Sequence, residues 1–195
     1  MRWIGSASWR TLSLAGLTLA CTIGIAVPAT AQTGGTPPPG STEPTPTPTP
    51  TGPPGRATLL PGGTAVAPAN APPAVQAAIN AGNEIRTKPY RWGGGHRTFY
   101  DSGYDCSGAV SYVLHAAGFL TSPLTSGGLA TSWGTPGKGW WITVFANAGH
   151  TYMKVAGLRF DTSGTGEKLN QGSGPRWRAT KRKPRGYSIK HFPAY

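Results

Sequence analysis

The run Tyr104-Asp105-Cys106-Ser107-Gly108-Ala109-Val110-Ser111-Tyr112-Val113-Leu114-His115-Ala116-Ala117-Gly118 decides how the rest of the chain is read. Val110, Val113, Leu114 and Ala117 recur at the three- and four-residue steps of a helix with one buried face. Asp105 or Ser107 offers an oxygen to the free N–H groups at its start, and Gly118 supplies a stop. Cys106 then falls in the first turn, four residues before Val110, on the side that packs against the domain. A thiol there meets unpaired N–H groups and the positive end of the helix dipole, which predicts a stabilised thiolate with a lowered pKa. That is the setting of a nucleophile.

Such a nucleophile needs a base, and the region offers His96, His115, His150 and His191. His115 is nine residues after Cys106, on the far side of the same helix. His96 lies in a glycine loop and His191 in a basic tail. His150 is better placed, because Gly149 to Val155 and Leu158 to Thr162 read as two strands joined by the hairpin dipeptide Ala156-Gly157. With a two-residue turn, Val155 faces Leu158, Lys154 faces Arg159, Met153 faces Phe160 and Tyr152 faces Asp161. His150 and Asp161 are then diagonal neighbours on one face, within reach for the carboxylate to orient the imidazole. A one-residue change of loop length would turn Asp161 away; the alternatives to Asp161 are Ser163, directly opposite His150 in the two-residue register, and Asn147.

Outward from this centre the chain divides in three. Residues 1–31 begin with Arg2 and Arg10, continue through the uncharged apolar stretch Leu12 to Val27 and end on Ala29-Thr30-Ala31, the pattern of a secretory signal peptide cut after Ala31. Residues 32–70 hold eleven Pro, one acid, one base and no aromatic residue, so they read as a disordered Pro/Thr/Gly-rich linker, extended in its Pro-Thr repeat. Residues 71–195 form the globular domain. Its first helix starts at Pro72-Pro73 and fades at Gly82-Asn83. Removal of Cys21 with the signal leaves Cys106 as a lone exported thiol, which has no partner for an internal disulfide.

Three blocks of the domain, Pro89-Tyr90-Arg91-Trp92-Gly93-Gly94, Tyr104-Asp105-Cys106-Ser107-Gly108 and Gly149-His150-Thr151-Tyr152-Met153, resemble the signature blocks of the NlpC/P60 family of cell-wall cysteine peptidases. The resemblance covers about residues 72–165. It implies a papain-like α+β fold, with N-terminal helices, including the one bearing Cys106, packed on an antiparallel sheet that carries His150. It also implies cleavage of peptidoglycan stem peptides, often between D-glutamate and the diamino acid after it, with no cofactor and no metal. Matched position by position, Cys106 is similar to the family nucleophile, His150 to its general base and Asp161 to the third polar residue. Tyr90, Asp105 and Ser107 stand where the family lines the site and binds the peptide, and His96 in the glycine loop is a further candidate contact. Two departures mark a divergent member. The third residue is Asp where the family usually has His, and the stretch before His150 lacks the usual Pro-Gly-Asp turn.

The 195 residues carry 18 Lys and Arg against 6 Asp and Glu, a formal charge of +12. Seven of the basic residues (Arg176, Arg178, Lys181, Arg182, Lys183, Arg185 and Lys190) fall in the C-terminal segment beside Trp177 and Tyr187. A solvated basic face explains them, and so does attraction to anionic cell-wall polymers. Nucleic acid is not an expected partner, because no nucleic-acid motif accompanies the charge. The 29 Gly and 20 Pro exclude a helical bundle, and the sequence holds no serine-hydrolase elbow, zinc motif or pair of clustered carboxylates. The reading is an exported, cell-wall thiol hydrolase without a membrane span once the signal is removed. The alternatives are a catalytically silent wall-binding module of the same fold and an amidase acting at the sugar–peptide junction.

Overall fold

A computed structural model describes residues 53–164 and 172–195. The expected signal peptide and residues 32–52 of the expected linker lie outside them. In chain order the elements are β1 (Thr58–Leu59), β2 (Ala65–Val66), α1 (Pro73–Ile85), α2 (Cys106–Ala116), α3 (Ser126–Thr131), β3 (Thr135–Pro136), β4 (Ile142–Ala146), β5 (Thr151–Val155), β6 (Leu158–Asp161), β7 (Arg176–Arg178) and β8 (Ser188–His191). Strands β3 to β8 form one antiparallel sheet in the order β3-β8-β4-β5-β6-β7. Mixed helix and antiparallel sheet is the architecture expected of an α+β chain.

The core lies between the helices and one sheet face. Val75 and Ile79 of α1 and Val110, Val113 and Leu114 of α2 meet Ile142 and Val144 of β4, Met153 and Val155 of β5 and Phe160 of β6, all essentially sealed from solvent. Each such side chain contributes roughly 1.5–3 kcal/mol by leaving water. In β5 and β6 the pattern alternates, Met153, Val155, Leu158 and Phe160 joining that core while His150, Tyr152, Lys154, Arg159 and Asp161 belong to the other face. The β5–β6 register is Met153 to Phe160, Lys154 to Arg159 and Val155 to Leu158, as a two-residue turn requires. Ala156 and Gly157 both take positive φ, 46° and 80°, the backbone of a type I′ hairpin turn.

The expected boundary at residue 71 lies too late. Residues 58–66 pair as a small hairpin, Ala65 is buried, and the Asn83 side chain accepts from the Ala65 N–H at 2.9 Å and donates to its carbonyl at 2.8 Å. The segment joins the domain because Ala65 enters the core, Ala57, Leu59 and Ala67 pack against it, and the half-buried Asn83 amide matches both polar groups of the Ala65 backbone. Helix α1 likewise continues past Gly82 and Asn83. The absence of a side chain at Gly82 makes room for the Trp177 ring from β7, whose indole N–H donates to Asn83 at 3.0 Å.

Candidate active site

Helix α2 begins where the glycine loop crosses it. Asp105 is its N-cap, accepting from the Gly108 N–H at 2.8 Å. Its other oxygen accepts from the Gly93 N–H at 3.1 Å, and Asp105 donates its own N–H to the Gly94 carbonyl at 3.3 Å. Gly108 has no room for a β-carbon, because the Gly94 carbonyl and the Gly95 backbone press against it. That close approach explains both the loop glycines and the last residue of the Asp-Cys-Ser-Gly block.

Cys106 sits in the first turn with 8% of its surface exposed. The backbone N–H of Thr151, at the start of β5, is directed at its thiol. The thiol is not activated in the resting protein: burial pushes its pKa up to about 11, Asp105 adds to that, and the Thr151 and Ser107 hydrogen bonds only partly oppose it. The expected lowering by the helix end is therefore outweighed, since desolvation penalises the thiolate more than the first-turn N–H groups reward it.

His150 and Asp161 meet as the hairpin register demands. His150 Nε2 stands 3.0 Å from Asp161 Oδ1, and both side chains are fully buried. His150 Nδ1 is also buried and has no hydrogen-bond partner. The loop before it is fixed by Asn147, whose side-chain oxygen accepts from the N–H groups of Gly149 and His150, each at 2.9 Å. Asn147 therefore holds backbone. Ser163 donates its N–H to Asp161 at 3.0 Å, so it too serves the carboxylate and not the imidazole.

Two arginines complete the cluster. Arg159 Nη1 donates to Asp161 Oδ2 at 2.9 Å, and Arg182 Nε lies 2.9 Å from the same oxygen. Arg182 also donates to the Ser163 carbonyl and hydroxyl and lies over the Tyr152 ring, 5.6 Å from its centroid. Tyr187 turns its ring edgewise to His150 at 6.4 Å and to Tyr152 at 5.2 Å. Arg159, Arg182 and Tyr187 were not singled out as site residues by the sequence. Arg159 was visible in principle, as the residue two before Asp161 on the same strand face. The arrival of Arg182 and Tyr187 depends on how the segment after β7 crosses the sheet.

A cleft of about 310 Å³ opens at the start of α2, lined by Asp105, Cys106 and Ser107 together with Trp92, Gly93 and His96 of the glycine loop and Thr125, Ser126 and Gly149. His96 Nε2 is 3.0 Å from Asp105 Oδ1 and 3.1 Å from Ser107 Oγ. The hydrogen bond to Asp105 raises the His96 pKa against the effect of burial. Burial alone would raise Asp105, but His96 and the Gly108 and Gly93 N–H groups hold it below its usual value. Tyr90 is half-buried, and burial first, then Cys106 and Asp105, push its phenol up to about 12. The structure thus gathers Asp105, Cys106, Ser107 and His96 on the cleft, sets Tyr90 within electrostatic reach of the thiol, and buries His150 and Asp161. His115 stacks on Phe99 at 3.9 Å and His191 contacts the Gly137 carbonyl, both in other surroundings. Among the described residues, no three His, Cys, Asp or Glu side chains gather as they would around a metal ion, and no helix is long and apolar enough to cross a membrane.

No protein-family model matches the chain, and no curated protein matches it. Among solved structures it is similar to an NlpC/P60 family protein from Bacillus cereus ATCC 10987, with 19% identity over 62% of this chain and 40% of that one and a TM-score of 0.45. The chain thus spans less than half the length of that protein.

Proposed function

We propose that this protein is an exported cysteine peptidase that hydrolyses peptidoglycan stem peptides, at the bond between a D-glutamyl residue and the diamino acid after it. The observation that carries the reading is the environment of His150: one ring nitrogen bound to a buried Asp161, the other sealed and unpartnered, and the next residue's N–H on the Cys106 thiol.

In this reading the Cys106 thiol is neutral at rest, and Nδ1 of His150, which has no hydrogen-bond partner, is the atom left to take its proton. When a peptide carbonyl enters the cleft, the Cys106 proton passes to Nδ1 as the sulfur attacks the carbonyl carbon. Asp161 holds the Nε2–H and stabilises the imidazolium that forms. Tyr90, kept protonated by its raised pKa, donates a hydrogen bond to the developing oxyanion. Collapse breaks the C–N bond, and the imidazolium gives its proton to the leaving amine. A water molecule then attacks the thioester, with Nδ1 taking its proton, and carboxylate and thiol are released. Asp105, ionised at the helix start, and Ser107 bind the peptide's free amino group in the cleft.

One observation favours a second reading, a silent wall-binding module: the thiol is buried and its pKa is raised. Digestion of purified peptidoglycan, with mass spectrometry of the new amino termini, separates the two. New diamino-acid termini released by the wild type and absent with Cys106→Ala are expected. No new termini, or the same termini from both proteins, would overturn the peptidase reading, and new termini at the sugar–peptide junction would replace it with the amidase.

A further inference from the structure

Away from the cleft, the sheet face that carries Asp161 also carries a row of cations. The pairing registers set Thr143, Lys154, Arg159 and Arg178 side by side across β4, β5, β6 and β7. Directly opposed side chains have β-carbons about 4.5–5.5 Å apart, so three like charges in a row repel. Two of the three are compensated. Arg159 bonds Asp161 and the Thr180 hydroxyl, and Arg178 donates to the Asp161 carbonyl and to Ser173. Lys154 has no acidic partner among the described residues, and its ammonium rests 5.5 Å from the Phe145 ring centroid.

Three neighbouring segments each add a cation beside it. The Gly139 N–H donates to Thr143 Oγ1 at 3.1 Å, which brings exposed Lys138 to the end of the row. The Arg159–Thr180 bond brings exposed Lys181 above its middle. The Arg56 guanidinium lies against Gly157, in the turn that joins β5 to β6. Burial first, then Lys138, Lys181, Arg159 and Arg56, lower the Lys154 pKa, as expected of a cation crowded by its own kind. No described acid is free to relieve it: Glu84 accepts from Tyr112, Asp101 pairs with Arg91, Asp105 with His96, and Asp161 with His150 and the two arginines.

We propose that this face, centred on Lys154 and bordered by Arg56, Lys138 and Lys181, binds a polyanionic strand of the phosphodiester class. The cations come from separate segments, and Lys138 and Lys181 stand exposed at its edges, which suits a strand laid over them with single charges spaced along it. Lysine ammonium groups are point charges that accept phosphates in many orientations. The surface is independent of Cys106 chemistry, so its failure and that of the peptidase reading are separable.

The test uses the full chain and a fluorescent poly(glycerol phosphate) probe, titrated across a range of salt concentrations at and below the physiological. The double variant Lys154→Gln/Lys181→Gln is expected to bind about tenfold more weakly, and the slope of log affinity against log salt should fall by about 0.7–0.9 for each phosphate no longer neutralised. Removal of the same number of charges off the surface, by Lys88→Gln/Arg97→Gln, should change affinity by less than about twofold. Lys154→Gln alone should raise the melting temperature without probe, because it relieves like-charge crowding. Equal weakening by the two double variants would mean that net charge alone drives binding and would overturn the site. Tighter binding of single-stranded DNA of equal charge would overturn the assignment to a glycerol phosphate type of strand. A lowered melting temperature for Lys154→Gln would overturn the crowding on which the proposal stands.

Discussion

Two histidine–aspartate pairs in this molecule share one geometry, Nε2 to Oδ1 at 3.0 Å, and differ in almost everything else. His96–Asp105 lies on the cleft rim, with side chains 25% and 10% exposed, while His150–Asp161 has no exposed surface at all. Asp105 spends its oxygens on a helix cap, on Gly93 and on Ser107. Asp161 is met by two guanidinium groups, at the back of an imidazole whose other nitrogen is buried without a hydrogen-bond partner. The separation of the two atoms says nothing of the role; the role follows from what each partner does with its remaining atoms. One pair lies on the cleft and starts a helix, and the other is sealed inside the sheet face.

The largest expected effect belongs to Cys106, which follows Asp105 in the chain. Cys106→Ala should lower hydrolysis by more than about 10⁴-fold, to the level of the uncatalysed reaction, with thermal unfolding close to wild type. Turnover by that variant would leave the buried pair without a nucleophile to serve. Asp161 and Asp105 then separate the pairs directly. Asp161→Asn should cut kcat by about 10²–10⁴ with little change in KM, because the wrong tautomer is held in place. Asp161→Ala should fall lower still and lose about 3–5 kcal/mol of stability, since the buried Arg159 and the partly buried Arg182 lose their counter-charge. Asp105→Asn should raise KM with kcat kept within about tenfold, at a stability cost near 1 kcal/mol or less. If steady-state kinetics assign the kcat loss to Asp105 and the KM loss to Asp161, the comparison is inverted.

Thiol titration sharpens the same contrast. A thiol pushed up to about 11 is mostly protonated at neutral pH, so alkylation of Cys106 by iodoacetamide should rise about tenfold per pH unit from 7 to 9. A rate already at its plateau near pH 7 would mean that the helix end prevails over burial. The smallest effect is expected at the other end of the chain. Deletion of residues 32–52 should leave activity on soluble peptides unchanged, whereas deletion of 32–70 removes the β1–β2 hairpin and should lower the melting temperature. Equal stability of the two deletions would return the domain boundary to residue 71.

The elements that were legible in the sequence are those whose signals are local. The apolar spacing of Val110, Val113 and Leu114 and the cap at Asp105 mark α2, and Ala156-Gly157 between alternating strands sets the register that brings His150 to Asp161. What was not legible came from distant parts of the chain. Arg182 and Tyr187 belong to a segment that reads as a solvated basic face, yet they cross the sheet to the carboxylate and the imidazole. The state of the Cys106 thiol depends on a competition between helix end and burial, and burial is a property of the assembled fold. The backbone of Ala65 is matched by Asn83, eighteen residues later, a pairing that no local signal announces.

His150 and Asp161 are only eleven residues apart along the chain, with a tight turn between them. Hairpins of this kind close within about 1–10 μs, whereas pairings between distant segments wait on the slower search that brings whole elements together. His150 can find Asp161 early, before α2, from a distant part of the chain, packs on β5. On the proposed mechanism, order of assembly acts as a safety catch: a partly folded chain carries the proton acceptor without its nucleophile until α2 has docked.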